Sequence, residues 1–165
     1  MKDKLKKYLK ETLIFIVVMI LFSNGLSLYK SMSLNKDQFS LTNINLINKE
    51  VYKRDEQKPL LVHLWATWCP TCKIEAQNIQ TLSEHYNVLT IAVKSGSDDD
   101  INRWLLENNY TFNVLNDSSG FVASHFNLSV FPTTFIYDRN NQLVFTEVGY
   151  TSTWGLFLRI WWASL

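Results

Sequence analysis

Residues 60–72 read LLVHLWATWCPTC, and this stretch decides the fold of the chain. Its first seven residues are almost continuously apolar, which is typical of a strand buried on both faces of a parallel sheet. After the stretch, Ile79 and Leu82 recur at helical spacing, so a helix is predicted there. The two cysteines, Cys69 and Cys72, therefore lie where a strand passes into a helix.

The positions of the cysteines predict redox chemistry. Pro70 suits the first turn of a helix, because its missing N–H would have no partner there. Cys69 then lies at the helix N-terminus, where free amides and the helix dipole stabilise a thiolate. Cys72 follows on the same helical face, within reach of a disulfide. We therefore predict thiol–disulfide exchange, with Cys69 as an exposed attacking thiolate and Cys72 as the resolving cysteine behind it.

Other roles for the cysteine pair fit the sequence less well. A purely structural disulfide would close a loop of only about four residues, which removes little chain entropy. A zinc site normally takes four ligands, whereas the chain has two cysteines and its three histidines are scattered. No metal site is therefore expected. The rival hypothesis is a non-catalytic module that binds copper or another metal through the two thiolates, since copper(I) prefers soft sulfur.

Two motifs of the chain are similar to those of a known superfamily. Residues 65–72, WATWCPTC, resemble the active-site stretch of the thioredoxin superfamily, in the membrane-anchored branch of TlpA, ResA, DsbE-like and ScsD-type proteins. Residues 131–135, FPTTF, resemble its cis-proline loop. The resemblance covers residues 39–165 and implies a thioredoxin-like α/β fold, a central mixed sheet flanked by helices. It implies a protein disulfide oxidoreductase with no cofactor beyond the redox-active Cys69–Cys72 disulfide, and the ScsD likeness adds copper tolerance as a context.

The resemblance also implies roles for residues behind the disulfide. Cys69 and Cys72 are the catalytic pair. Glu75 shares their helical face, and some anchored relatives carry a functional acid at this position, so a catalytic role is expected; a solvated helix glutamate is the alternative. His63 occupies the strand position where thioredoxins carry a buried acid that relays protons. A histidine departs from that pattern, so His63 is either a proton relay or, more simply, a core histidine.

The expected substrate-binding residues surround the disulfide. Trp68 and Pro70 flank the first cysteine. Pro132 matches the cis-proline whose preceding peptide lies against the disulfide and pairs with a substrate backbone. We predict a cis peptide before Pro132, because cis bonds without proline are very rare. Phe131 and Thr133 complete this set, and Phe131 is bulkier than the small or β-branched residue that relatives usually carry.

Residues 1–29 predict a membrane segment. Residues 1–11 hold five lysines against two acidic residues, a net charge of +3, and residues 13–22 are all apolar. The uncharged stretch is slightly short of a hydrocarbon core of about 30 Å, so a cleaved signal peptide and an uncleaved anchor both stay open. We expect a single-pass anchor with its lysines in the cytoplasm. A polar tether over residues 30–38 and the thioredoxin-like domain over 39–165 are expected to follow.

The predicted location and partners follow from the anchor and the cysteines. A functional Cys-x-x-Cys motif needs a compartment where disulfides are exchanged, so the domain is expected in the periplasm, at the bacterial inner membrane. Residues 30–165 carry a net charge of −2, which argues against nucleic-acid binding. Expected partners are protein thiols and disulfides and, since there is no second cysteine pair, a membrane electron-transfer protein. The direction of electron flow stays open, and the resemblance favours reductant or isomerase work.

The remaining elements are read from local patterns. The sequence predicts strands over 88–94 and 112–115, a short helix over 121–126, and hairpins over 39–53 and 134–148. Residues 98–100 are three aspartates, which suit the first turn of a helix better than a metal site. Ser152 is the expected cap of the last helix. The apolar stripe expected to cover the sheet there is Trp154, Phe157, Leu158 and Trp161. Further apolar residues on that helix could face a membrane or a partner.

Overall fold

The computed structural model describes residues 2–35 and 44–165. Five helices and five strands follow one another along these residues. Their bounds in chain order are α1 Lys2–Ser31, β1 Leu60–Trp65, α2 Pro70–Ser83, β2 Asn87–Val93, α3 Asp98–Glu107, β3 Val114–Asp117, α4 Phe121–His125, β4 Thr133–Tyr137, β5 Leu143–Val148 and α5 Thr153–Trp162.

The strands form one mixed sheet in the order β3-β2-β1-β4-β5. β1, β2 and β3 are parallel, while β4 and β5 are antiparallel to their neighbours. The connections through α2 and α3 advance in the same direction across the sheet. Because such crossovers are right-handed, α2 and α3 lie on the same face of the sheet. Residues of α2, α3 and α5 form a hydrophobic cluster on that face. α4 packs on the other face.

Strand β1 lies at the centre of the sheet and is completely buried. Leu61 and Trp65 point to the face that carries α2, whereas Val62 and Leu64 point to the opposite face. A strand covered by helices on both faces needs apolar residues at every position rather than at alternate ones. The structure therefore confirms the buried central strand and the mixed, helix-flanked sheet, and α2 begins at Pro70 as predicted.

Two strand predictions need correction. The strand expected over 112–115 lies at Val114–Asp117. Phe112 packs into the core with its ring against Trp65. Backbone pairing with β2 begins only at Val114, opposite Thr90. Of the hairpin expected over 39–53, residues 39–43 lie outside the described residues. The rest forms a single antiparallel bridge between Asn45 and Val51.

The segment expected to be a tether differs from that prediction. Helix α1 continues to Ser31, which is buried. Leu34 joins the core cluster on the α4 face, and the N–H of Asn35 donates to the carbonyl of Phe126 over 3.0 Å. Leu34 and Asn35 therefore contact the domain, and residues 36–38 lie outside the described part. Within the described residues, Lys6–Ser31 is the one helix long and apolar enough to cross a membrane.

The buried face of α5 is not the predicted one. Ser152 caps the helix as expected, since its hydroxyl accepts the N–H of Gly155. The residues that enter the core, however, are Leu156, Ile160 and Ala163. This set and the predicted tryptophan stripe are both helically periodic, so periodicity alone does not choose between them. α5 packs close to α2, where alanine and aliphatic side chains fit and the tryptophans stay outside.

This assignment predicts a clear difference between two substitutions in α5. Leu156→Ala should lower the free energy of unfolding by about 2–5 kcal/mol, because it leaves a cavity in the core. Trp154→Ala should change it by about 0.5 kcal/mol or less, because this side chain is 75% exposed. Denaturant unfolding of the full chain in mild detergent measures both. If Trp154→Ala lowered the free energy of unfolding more than Leu156→Ala does, the predicted tryptophan stripe would be the buried face of α5.

Candidate functional site

The two cysteines form a disulfide at the start of α2. Their Cα atoms are 5.3 Å apart, and Cys69 is the N-cap of the helix with Pro70 following it. The Cys69 sulfur accepts the backbone N–H of Cys72 over 3.2 Å. An N-terminal amide that donates to sulfur stabilises negative charge there. The geometry therefore favours Cys69 as the thiolate of the reduced pair.

The disulfide is more enclosed than the sequence predicts. Cys69 is 5% exposed and Cys72 is 1% exposed, whereas an exposed attacker was expected. Phe131 packs against the cluster that contains both sulfurs, and the Trp68 ring meets Phe131 edge-on at 5.6 Å. Trp68 itself remains 58% exposed, with its indole N–H donating to the carbonyl of Lys94. The cysteine pair is therefore largely buried, with Phe131 packed against its cluster and the exposed Trp68 ring against Phe131.

The loop before β4 is held by two hydrogen bonds. The Phe131–Pro132 peptide is cis, as predicted. The Thr133 hydroxyl donates to the carbonyl of Val130 over 2.8 Å, and the N–H of Gly149 donates to the carbonyl of Pro132 over 2.8 Å. No hydrogen bond engages the Phe131 backbone within the part of the chain that the structure describes. Its N–H and C=O therefore have no hydrogen-bond partner among these residues.

The expected substrate-binding residues divide into two groups. Trp68 and Pro70 are exposed and Phe131 is half-buried, so these three can meet another molecule. Pro132 and Thr133 are buried. The Thr133 side chain, turned towards Val130, shapes the loop instead of facing solvent.

Glu75 is completely buried on the cysteine face of α2. Neither carboxyl oxygen has a hydrogen-bond partner of good geometry in the described structure. Burial raises the pKa of Glu75 from 4.5 to about 8, the nearby Thr151 backbone partly offsets the increase, and the charge of Glu147 adds to it. The alternative of a solvated helix glutamate is therefore wrong. A carboxyl group whose pKa is raised by burial to about 8 therefore lies one helical turn from Cys72.

His63 is a buried histidine with one neutral partner. Its Nδ1 lies 2.9 Å from the hydroxyl oxygen of Thr134, which is directly opposite on β4. Burial lowers the pKa of His63 from 6.5 to about 3, because the charged ring would lose its hydration. The ring is therefore neutral at physiological pH, which agrees with the simpler interpretation of a satisfied core histidine.

A row of polar side chains crosses the sheet beneath α2. Thr90, His63, Thr134 and Glu147 occupy paired positions on β2, β1, β4 and β5, so all four point to the same face. Glu147 forms an ion pair with Arg159 of α5 over 2.6 Å. Thr134, Glu147 and Arg159 were not predicted as site residues. No local pattern marks them, because strand register aligns Thr134 and Glu147 with His63, and helix packing brings Arg159 to Glu147.

The protein has a cysteine pair at a helix N-terminus, a cis-proline loop beside it and a mixed sheet beneath them. These features define the class of thiol–disulfide oxidoreductases with a thioredoxin-like fold. The comparisons with known proteins agree with this class. Residues 34–146 match the AhpC/TSA family, and the chain belongs to that family.

Named relatives place the chain among disulfide enzymes. A thioredoxin-like protein of Haemophilus influenzae is 29% identical over 164 residues, which covers 98% of each chain. The thiol:disulfide interchange protein DsbE of Vibrio cholerae is 30% identical over 107 residues, 63% of this chain and 55% of DsbE. The crystal structure of StoA from Bacillus subtilis matches with a TM-score of 0.61 at 19% identity, over 70% of this chain and 92% of StoA. The StoA likeness concerns the fold alone.

Proposed function

We propose that this oxidoreductase is exported and membrane-tethered, and that it exchanges disulfides with protein substrates as a reductant or isomerase. One observation carries the proposal: the Cys69 sulfur accepts a helix N-terminal amide while the backbone of Phe131, beside the pair, is unengaged. The first feature activates a sulfur nucleophile. The second offers a donor and an acceptor to an extended polypeptide.

The substrate surface has the features of a peptide-binding edge. An extended chain can pair with the open N–H and C=O of Phe131, in the manner of a strand added to a sheet. The rings of Trp68 and Phe131 flank this edge and supply apolar contact area. Backbone pairing recognises any extended segment, whatever its side chains. We therefore propose protein disulfides as the substrate class.

The proposed reaction passes through a mixed disulfide. The Cys69 thiolate attacks one sulfur of the substrate disulfide, the substrate S–S bond breaks, and the released substrate thiolate takes up a proton. Cys72 then loses its proton and attacks the Cys69 sulfur, which breaks the mixed disulfide and releases the second substrate thiolate. Two electrons have then moved from the protein to its substrate, and the Cys69–Cys72 disulfide has formed.

Glu75 is the proposed base for the second step. A buried thiol resists ionisation, so Cys72 needs a proton acceptor. A carboxylate with a pKa of about 8 is close in basicity to a thiolate, which makes proton transfer between them efficient. His63, with a pKa of about 3, is too weak a base for this role and is assigned to the core.

The proposed setting is the bacterial inner membrane, with the domain in the periplasm. The apolar helix α1 follows a lysine-rich start, which is the pattern of an anchor with a cytoplasmic N-terminus. The chain has two cysteines, so another protein must reduce the disulfide again. We propose a membrane electron-transfer protein for that step.

The reduction potential of the Cys69–Cys72 pair tests the direction of electron flow. A reductant should lie nearer the thioredoxin value of about −270 mV than the DsbA value of about −120 mV. Equilibration of the full chain with glutathione buffers gives the potential, and insulin reduction gives the activity. The Cys69→Ser/Cys72→Ser double variant is the control. A potential near that of DsbA would reverse the direction, and tight copper binding without turnover would favour the metal-binding alternative.

A further inference from the structure

Helix α1 is docked on the edge of the domain by its last turns. The Ser27 hydroxyl accepts the backbone N–H of Val148 over 2.9 Å, which engages the edge strand β5. The side-chain carbonyl of Asn24 accepts an N–H of Arg159 over 3.0 Å, which engages α5. These contacts join α1 to two elements of the domain. The orientation of the domain relative to α1 is therefore defined.

An exposed apolar surface lies beside this junction. We call Tyr150, Trp154 and Leu158 the α5 patch; their side chains are 51%, 75% and 57% exposed. Residues 153–162 contain no acidic side chain, and their single charge, Arg159, is turned towards Glu147. The outer face of a helix in water normally carries charged residues. The α5 patch carries none.

The apolar part of α1 lies next to the α5 patch. A cleft of about 610 Å³ separates them, with Ile16, Met19 and Ile20 of α1 on one side and Tyr150 and Leu158 on the other. The α1 residues belong to the segment with the composition of a membrane span. Lipid around that segment would therefore meet the patch.

We propose that the α5 patch is seated in the headgroup region of the bilayer that α1 spans. This inference rests on the tether in the proposed function. Tryptophan and tyrosine favour the membrane interface, where the ring is apolar and its polar edge stays hydrated. A face of tryptophan and leucine is the kind of face that an interfacial helix buries at the headgroup boundary. A lipid surface suits the α5 patch better than water does.

Docking of the patch turns the disulfide towards the membrane. The patch follows β5 directly, and Val148 at the end of β5 pairs with Thr133. Thr133 in turn pairs with Leu64, close to the point where β1 leads into the cysteines. Tyr150 of the α5 patch, the cis-proline loop and the disulfide therefore lie at the same end of the sheet. A membrane-embedded redox partner would meet that end.

Lipid-attached maleimide tests this orientation. In a Cys69→Ser/Cys72→Ser background, Trp154→Cys is compared with Leu106→Cys, whose native side chain is 77% exposed on α3, towards the opposite edge of the sheet. The full chains are reconstituted in vesicles of phosphatidylethanolamine and phosphatidylglycerol that contain maleimide-labelled headgroups. Soluble N-ethylmaleimide normalises the intrinsic reactivity of each thiol. We expect a normalised rate at position 154 at least about tenfold above that at 106, because contact with the headgroups raises the effective concentration.

Flotation of the vesicles separates the two levels of the proposal. A chain that floats with the lipid but labels equally at positions 154 and 106 overturns the orientation and leaves the tether intact. A chain that does not float overturns the tether, and the orientation with it. Preferential labelling at 154 supports both.

Discussion

Cys72→Ser is expected to abolish turnover and to accumulate mixed disulfides between Cys69 and protein substrates. Cys69 holds the helix N-terminal position and accepts the Cys72 N–H, so its thiolate can still attack. Without the Cys72 thiol, nothing resolves the covalent intermediate. Non-reducing electrophoresis of acid-quenched cells should show adducts that disappear on reduction.

Cys69→Ser is the matched control for this trapping experiment. Cys72 is 1% exposed and lies behind Cys69 in the helix, so substrates cannot reach it readily. Turnover should again be lost, but without adducts. Equal trapping by the two variants would contradict the assignment of attacking and resolving roles.

Glu75→Gln is expected to slow the resolving step by about a hundredfold at pH 8, the lower end of general-base effects. The wild-type rate should rise as Glu75 ionises through its pKa of about 8. Glutamine keeps the size of the side chain but cannot accept the proton, so the variant should lose this rise. Stopped-flow reduction between pH 5 and 9 measures both profiles.

The same substitution should change the pH dependence of stability. The folded-state pKa of Glu75 is raised from 4.5 to about 8, so folding favours the protonated acid and stability is lost as the pH rises between these values. The full shift corresponds to a loss on the order of 5 kcal/mol. Denaturant unfolding of the oxidised chain should show this decline in wild type and not in Glu75→Gln. If Glu75→Gln showed the same pH profiles of rate and of stability as the wild type, Glu75 would not be a buried carboxyl group that acts in the reaction.

His63→Asn is the comparison variant, and its effect should have the opposite pH dependence. The folded-state pKa of His63 is lowered from 6.5 to about 3, so the wild type loses stability as the pH falls through this window. The asparagine variant should lose less stability on acidification. It should keep the wild-type rise in turnover near pH 8, because His63 is not assigned to proton transfer.

Short-range sequence signals predicted the centre of the molecule correctly. The apolar run before the cysteines specified a strand buried on both faces, and Pro70 marked the first turn of α2. Ser152 was identified as a helix N-cap, and residues 98–100 as the first turn of a helix, in the same way. These features depend on groups within one turn or one strand of each other, which is the range over which backbone geometry and capping act.

The sequence by itself thus determined the strand, the helix and the cysteine pair at its start. Only the tertiary structure decided the surroundings of that pair. Thr134 lies 71 residues from His63, and strand register alone brings their side chains together. The raised pKa of Glu75 depends on its burial in the folded core. The face of α5 that enters the core depends on the packing of α5 against α2. Burial and register arise from contacts between distant segments, which local periodicity does not encode.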